Sequence, residues 1–234
     1  MKNKNMNIWD KAQETDPKFT KKDYGGFTSI NGIYLIRKAT SIFGAMGIGW
    51  GFEILEERYD EGVPFMTKDV GQVMAKSHTI KLELWFKQDG ELGKVVNFGH
   101  TKYIYKTKNG HMIDEEAPKK SLTDAIKKCL SMLGFSADIF MGQYEDRDYV
   151  DELTRRSEVE HADDKDAERL KQVTEYREWV ESELKAYSMI DDASSLQNVY
   201  NSHMKNANRR GSDWAKEKFT KTYENRIKEI ETCK

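Results

Sequence analysis

The stretch SHTIKLELWFKQDGE, residues 77–91, decides the fold. Ile80, Leu82, Leu84 and Phe86 alternate with Lys81, Glu83 and Lys87, and only Trp85 breaks the alternation. A period of two sends the apolar side chains to one face of a strand and the charged ones to the other, the pattern of a half-buried antiparallel strand. Asp89-Gly90 then supplies hairpin-turn chemistry, and residues 95–106 return as the partner strand. Upstream, residues 50–59 read as another strand. Ahead of it Ile33, Ile36, Ala39, Ile42 and Phe43 recur at helical spacing until Gly44, Gly47 and Gly49 stop the helix. Downstream, SLTDAIKKCLSMLGFSADIFMGQYED, residues 121–146, starts as a capped helix whose buried side is Leu122, Ile126, Cys129, Leu130 and Leu133. Helix, antiparallel sheet and helix in this order predict an α+β fold, a β-hairpin sheet packed on a long helix, followed by an α-helical C-terminal region.

The flanks divide by composition. Residues 1–26 are polar, end in Tyr24-Gly25-Gly26, and read as an arm with one short helix over residues 8–13. Residues 27–150 form the core. Residues 151–172 are dense in charge of both signs, as a linker or solvated helix would be. Residues 173–234 form a helical tail, with helices over 173–188, 193–206 and 212–232. The first of these carries Val173, Tyr176, Val180, Leu184 and Tyr187 on one face, which needs a partner.

Several function classes lack support. No stretch of the 234 residues approaches the roughly twenty apolar residues of a membrane span, and the N-terminus lacks the apolar core of a secretory signal. A soluble, cytoplasmic protein without membrane contacts is expected. Cys129 falls on an apolar helix face, where it packs, and Cys233 reads as a solvent-facing thiol without a role. The histidines at 78, 100, 111, 161 and 203 show no metal-ligand spacing, and Asp163, Asp164 and Asp166 read as part of a solvated segment. FGAMGIGWGFEI lacks the GxxxxGK[ST] of a phosphate loop and precedes a strand, so its glycines mark a tight turn. No catalytic nucleophile, metal or cofactor is called for, and the chain is not expected to be an enzyme.

The basic clusters say more. With a net charge of -2, affinity for nucleic acid has to come from local clustering. Lys119, Lys120, Lys127 and Lys128 surround one helix, with Lys120, Asp124, Lys127 and Ser131 on a shared face. Arg37 and Lys38 repeat the theme on the first helix. In HTKYIYKTKNG, Lys102, Lys106 and Lys108 are expected on one face of a strand, with Tyr103 and Tyr105 on the other. Lysines with interleaved aromatics suit single-stranded nucleic acid, whereas a solvated helix face or an edge strand guarded against aggregation would look the same.

Two motifs in the same chain resemble the Rad52 family of single-strand annealing proteins. In INGIYLIRKATSIFGAMGIGWGFEI the matching positions are Ala39, Phe43, Gly44, Gly49 and Trp50. In EEAPKKSLTDAIKKCLSMLGFSADIFMGQYED they are Lys119, Lys120, Thr123, Asp124, Ala125, Lys127, Lys128, Leu130 and Gly134. The likeness covers residues 28–149 and is nearest to the compact phage-encoded members. It implies a sheet packed on the second-motif helix, assembled into a ring or open helical homo-oligomer whose basic groove holds single-stranded DNA. Lys127 and Lys128 would line the groove floor with Lys119 and Lys120 beside them, while Lys87 corresponds to a basic position of a second, outer DNA site. Ser131 and Tyr34 stand where the family often has arginines, and Arg37 and Lys38 lie one turn further on. The expected activity is ATP-independent annealing of complementary strands in homologous recombination and repair. The rival readings are an adaptor whose helical tail recruits a replication or single-strand-binding protein, and a nuclease or nucleotide hydrolase, for which the motifs are missing.

Overall fold

The computed structural model describes residues 4–23, 25–68, 70–108 and 110–232, so Tyr24 and Cys233 lie outside the described residues. The chain forms two compact units, Met1–Ser157 and Glu158–Lys234.

In the first unit β3 (Trp50–Thr67), β4 (Gly71–Gln88), β5 (Glu91–Thr107) and β6 (Gly110–Ile113) make an antiparallel sheet in that order, while β1 (Thr20–Lys22) and β2 (Thr28–Ile30) pair separately. Asp89 and Gly90 turn β4 into β5 with φ of 52° and 85°, the left-handed pair that matches strand twist. Ile80, Leu82 and Leu84 are buried under α2 (Gly32–Phe43) and α3 (Ala117–Met132), as the alternation predicts. Trp85 breaks the pattern because its indole lies over Gly51 of β3, where an added Cβ would sit 2.8 Å from Trp85 Cζ2. Strands β3 and β4 run past β5 as a two-stranded ribbon, paired from Pro64↔Met74 to Thr67↔Gly71. The segment EGVPFMT thus lengthens β3, and GQVMAK lengthens β4.

Two helix readings change. Helix α3 begins at Ala117, four residues before Ser121, because Pro118 is tolerated in a first turn where its missing N–H costs nothing. Ser121 is therefore no cap, and its buried hydroxyl donates to the His78 carbonyl at 3.0 Å. On α2 the buried side is Leu35, Ala39 and Phe43, leaving Ile33 72% exposed. Against β5, α3 packs backbone to backbone: a Cβ at Gly99 would lie 2.1 Å from the Ser121 carbonyl oxygen. Cys129 is fully buried beneath α3, and burial pushes its thiol up to about 11.

The N-terminal segment is built into this unit. In α1 (Asn7–Ala12), Ala12 is fully buried and Trp9 covers Gly134, whose φ of +89° and contact with the indole leave no room for a Cβ. Asp138, on the short α4 (Ala137–Phe140), accepts from the Thr15 backbone N–H at 2.6 Å and the Thr15 hydroxyl at 2.7 Å. Tyr149 donates to the same carboxylate at 3.1 Å. Helix α5 (Arg147–His161) follows, and the division between the units falls within it.

The second unit contains α6 (Lys165–Ala186), α7 (Ala193–Arg209) and α8 (Asp213–Thr232). The acidic run before α6 has a local use, since Asp164 caps that helix by accepting from the N–H groups of Asp166 and Ala167. Val180, Tyr187, Leu196, Ala207, Ala215, Phe219 and Ile230 form a separate core, in which His203 stacks on Phe219 with centroids 4.6 Å apart. The Tyr187 hydroxyl meets His203 Nδ1 at 3.1 Å. Burial depresses the His203 pKa, partly offset by Glu183. Among the described residues no helix is long and apolar enough to cross a membrane.

Gly99→Ala should cost about 3 kcal/mol in urea unfolding, because β5 and α3 must separate to admit the methyl group. A second expectation concerns pH. A histidine whose folded pKa lies below its ordinary 6.5 stabilises the fold above that value and loses the contribution as pH falls through the depressed one. Thermal melts should show the helical unit losing stability as pH falls below the ordinary histidine value, and His203→Phe should flatten that dependence.

Candidate nucleic-acid interface

Helices α2 and α3 lie side by side and run in the same direction. A Cβ on Gly32 would approach Thr123 Cγ2 to 2.8 Å at one end, and the rings of Phe43 and Phe135 are 5.8 Å apart at the other. The first motif has a physical reading at each position. Ala39 and Trp50 are fully buried, Gly44 caps α2 at φ +95°, and a Cβ on Gly49 would collide with the Phe43 carbonyl oxygen at 1.9 Å. The Trp50 indole N–H donates to the Thr40 hydroxyl at 3.3 Å. The glycine-rich loop is thus a tight turn that locks the end of α2 onto the start of β3.

The solvent side of α3 presents Lys120, Asp124, Lys127 and Ser131, with Lys120 and Lys127 about 10 Å apart along the axis at 1.5 Å rise per residue. Asp124 is the organising group. One of its oxygens, Oδ2, accepts the outward N–H of His100 on β5 at 3.2 Å and the Lys128 ammonium at 2.8 Å. Lys120 is bound to Asp114 at 2.6 Å and Lys119 to Glu116 at 2.7 Å. The hydrogen bond from Lys120 is the main reason the Asp114 carboxyl sits below its ordinary range. Lys127 and Arg37 have no acidic partner among the described residues.

The other basic positions lie elsewhere. Lys38 turns toward the N-terminal segment, donating to the Glu14 carbonyl, and burial lowers its pKa against the pull of Asp138, Glu14 and Asp16. Tyr34 points the same way: its hydroxyl accepts from the Asp16 N–H at 3.1 Å and its ring stacks on Phe19 at 4.8 Å. Lys87 is exposed beside the hairpin turn. Lys102 pairs with Ser77, which alternation from the buried Leu82 places on the sheet face away from α3.

The expected separation of lysines and tyrosines on β5 does not hold. Lys76 pairs with Ile104 and Ser77 with Lys102, so Tyr103 is an extra residue in the strand and the facing shifts beyond it. Lys102 consequently lies over Tyr105, 6.0 Å from the ring centroid, and Lys108 belongs to the turn after β5. A bulge leaves little trace in alternating polarity. Asp124 and Asp138 were equally hard to weigh, since an acid among lysines gives no hint that it caps a strand edge, and nothing near Thr15 points to a partner 123 residues away.

Residues 6–152 match the model of the Rad52/22 family double-strand break repair protein. The chain belongs to this family. No curated protein matches the chain. Membership of the Rad52/22 family places it in recombination and DNA repair. The matched segment takes in Trp9 and Gly134 as well as both motifs, and it ends before the second unit. The Rad52 motif residues thus divide into those that fix helices in place, such as Gly49 and Trp50 at the start of β3, Asp124 on β5 and Gly134 under Trp9 of α1, and those that carry exposed charge.

Asp124→Ala should unfold with about 1–2 kcal/mol less stability, because the His100 N–H loses its acceptor, yet DNA affinity at low salt should not fall, because Lys128 is released. Asp124→Asn keeps an acceptor and should recover part of the stability in the same urea titration.

Proposed function

We propose that the chain binds single-stranded DNA along the exposed side of α3 and anneals complementary strands without ATP, acting as an oligomer. The observation that carries the reading is the pair Lys127 and Arg37, cations without acidic partners among the described residues, on adjacent helices whose other sides are buried in one core. Lysines on a stiff support neutralise phosphates with release of counterions, so binding should weaken steeply with salt. Lys119, Lys120 and Lys128 join as secondary contacts. Their ion pairs are at least partly solvent-exposed, and such pairs contribute only about 0–1 kcal/mol, so a phosphate exchanges for a carboxylate at little cost. Lys102, on the sheet face away from α3, and Lys87, beside the hairpin turn, would meet a second strand or a second stretch of the same one.

Assembly is supported by the sheet edges. On β5 the outward amides of Phe98 and His100 are taken by Asn97 and Asp124, but β3 has no strand on its outer side among the described residues. Ile54, Leu55, Val63 and Met66 are exposed along β3. Repetition of the ledge from subunit to subunit would turn weak contacts into tight binding. Base pairing drives the annealing, and the protein reduces repulsion between strands.

The second reading is an adaptor, favoured by the self-contained core of the Glu158–Lys234 unit and by Leu170 and Met189, which are 67% and 81% exposed on it. A chain ending after residue 161, which keeps the buried Leu153, separates the two. Retained DNA binding and annealing support the first reading, whereas loss of a bound single-strand-binding protein, with no annealing by either form of the chain, supports the second.

Two labelled complementary oligonucleotides mixed with the protein in the absence of nucleotide should pair faster than alone. Lys127→Ala with Arg37→Ala should reduce single-strand affinity at least tenfold at low salt, a loss of about 1.4 kcal/mol or more. An unchanged affinity would remove the ledge from the mechanism.

A further inference from the structure

One end of the four-stranded sheet is forked. The ladder between β4 and β5 stops at Lys76↔Ile104; past that pair β4 has only β3 beside it, and β5 has only β6, from Ile104↔Ile113 to Thr107↔Gly110. The β3–β4 prong is apolar on both faces, since Phe65 pairs with Val73 on one and Pro64 with Met74 on the other. Val63 and Met66 on this prong are 76% and 67% exposed. We propose that the prong docks on the β6 edge of a second copy of the chain, so that subunits join head to tail. The proposal rests on the oligomer reading and adds to it which two surfaces meet.

Within one chain the prong lacks a support. A two-stranded ribbon is marginal in water by itself, and no residue of 61–76 belongs to the hydrophobic core under α2 and α3. Exposed aliphatic side chains on a free strand edge are a template for another chain unless something covers them.

The β6 edge matches the prong in position, polarity and charge. It is the opposite edge of the same sheet, with no strand outside it among the described residues, so a neighbour's β3 placed there continues the sheet. Its four residues equal the paired run of the prong from Pro64 to Thr67, and Met112 and Ile113 are 48% and 51% exposed on it. Residues 53–61 carry Glu53, Glu56, Glu57, Asp60 and Glu61 against Arg58 alone, whereas residues 103–113 carry Lys106 and Lys108 and no carboxylate. Arg58 and Lys76 offset part of the acidic charge, and β3 stays the negative edge. Prong against prong would set acid against acid, so the charges favour a contact between unlike surfaces, which leaves one of each free to add a further subunit.

The test uses the full chain, with mass read by light scattering and folding checked by circular dichroism. Met66→Glu blocks the prong and Ile113→Glu blocks the β6 edge, so each variant alone should lose the assembly of the unaltered chain and run as a monomer of 27.2 kDa. Mixed in equal amounts they should form a dimer and nothing larger, because each keeps the surface that the other lacks. Val63→Glu with Met112→Glu should repeat the result at separate positions, which keeps the test open if one of the first pair fails to fold. Assembly unchanged in the single variants, or a mixture that stays monomeric, would overturn the proposal and leave the α3 ledge and the assembly reading standing. Unchanged mass with weaker binding of a labelled oligothymidine would also overturn it, assigning the prong to the DNA strand. If the unaltered chain is itself a monomer, the docked prong and the assembly reading fall together.

Discussion

The close approach of α3 to β5 is the constraint on which the first unit depends. With glycine at position 99 the Ser121 carbonyl and the Ala125 amide lie almost on the strand backbone, closer than any side chain allows. That proximity lets Ser121 reach the His78 carbonyl, lets Asp124 reach the His100 amide, and seats Cys129 and Leu130 over Leu82 and Leu84. The charged side of α3 is stiff because its underside has no slack. Apolar burial of this kind, at roughly 25 cal/mol per Å², outweighs the surface ion pairs around it, so the core fixes the lysine positions and the salt bridges only trim them.

The electrostatics of the ledge are graded. Lys127 and Arg37 have no acidic partner among the described residues, Lys119, Lys120 and Lys128 share their charge with carboxylates, and Lys38 is turned away into a half-buried acidic environment. A chain with slightly negative net charge can thus present a basic strip without being basic overall. The acids beside the lysines restrain self-repulsion in the free protein and leave the cost of binding a strand small.

How much was legible in the sequence followed from how local each signal is. The alternation in β4, the Asp89-Gly90 turn and the apolar side of α3 depend on neighbours two to four residues away, and the structure shows them as expected. The Rad52/22 motifs were readable for the same reason. The bulge at Tyr103, the start of α3 at Ala117 and the rotated face of α2 were hidden, because each is set by packing across the unit. On α2, Leu35 wins the core over Ile33 because the first turn is pressed against Thr123, something hydropathy alone does not report. The ion pairs of the candidate site were hidden too. Asp114 and Glu116 lie just outside the helix that was read, where their reach to Lys120 and Lys119 depends on the helix starting early.

The bonds between Thr15 and Asp138 have a consequence for how the molecule is made. They join positions 123 residues apart, so the Thr15 segment has no seat until the sheet, α3 and the turn at Gly134 have all been synthesised. Contacts of such long sequence separation form late and slowly. Trp9 and Tyr34 would meanwhile remain open to water on a nascent chain, and the unit closes as one cooperative event when Asp138 arrives.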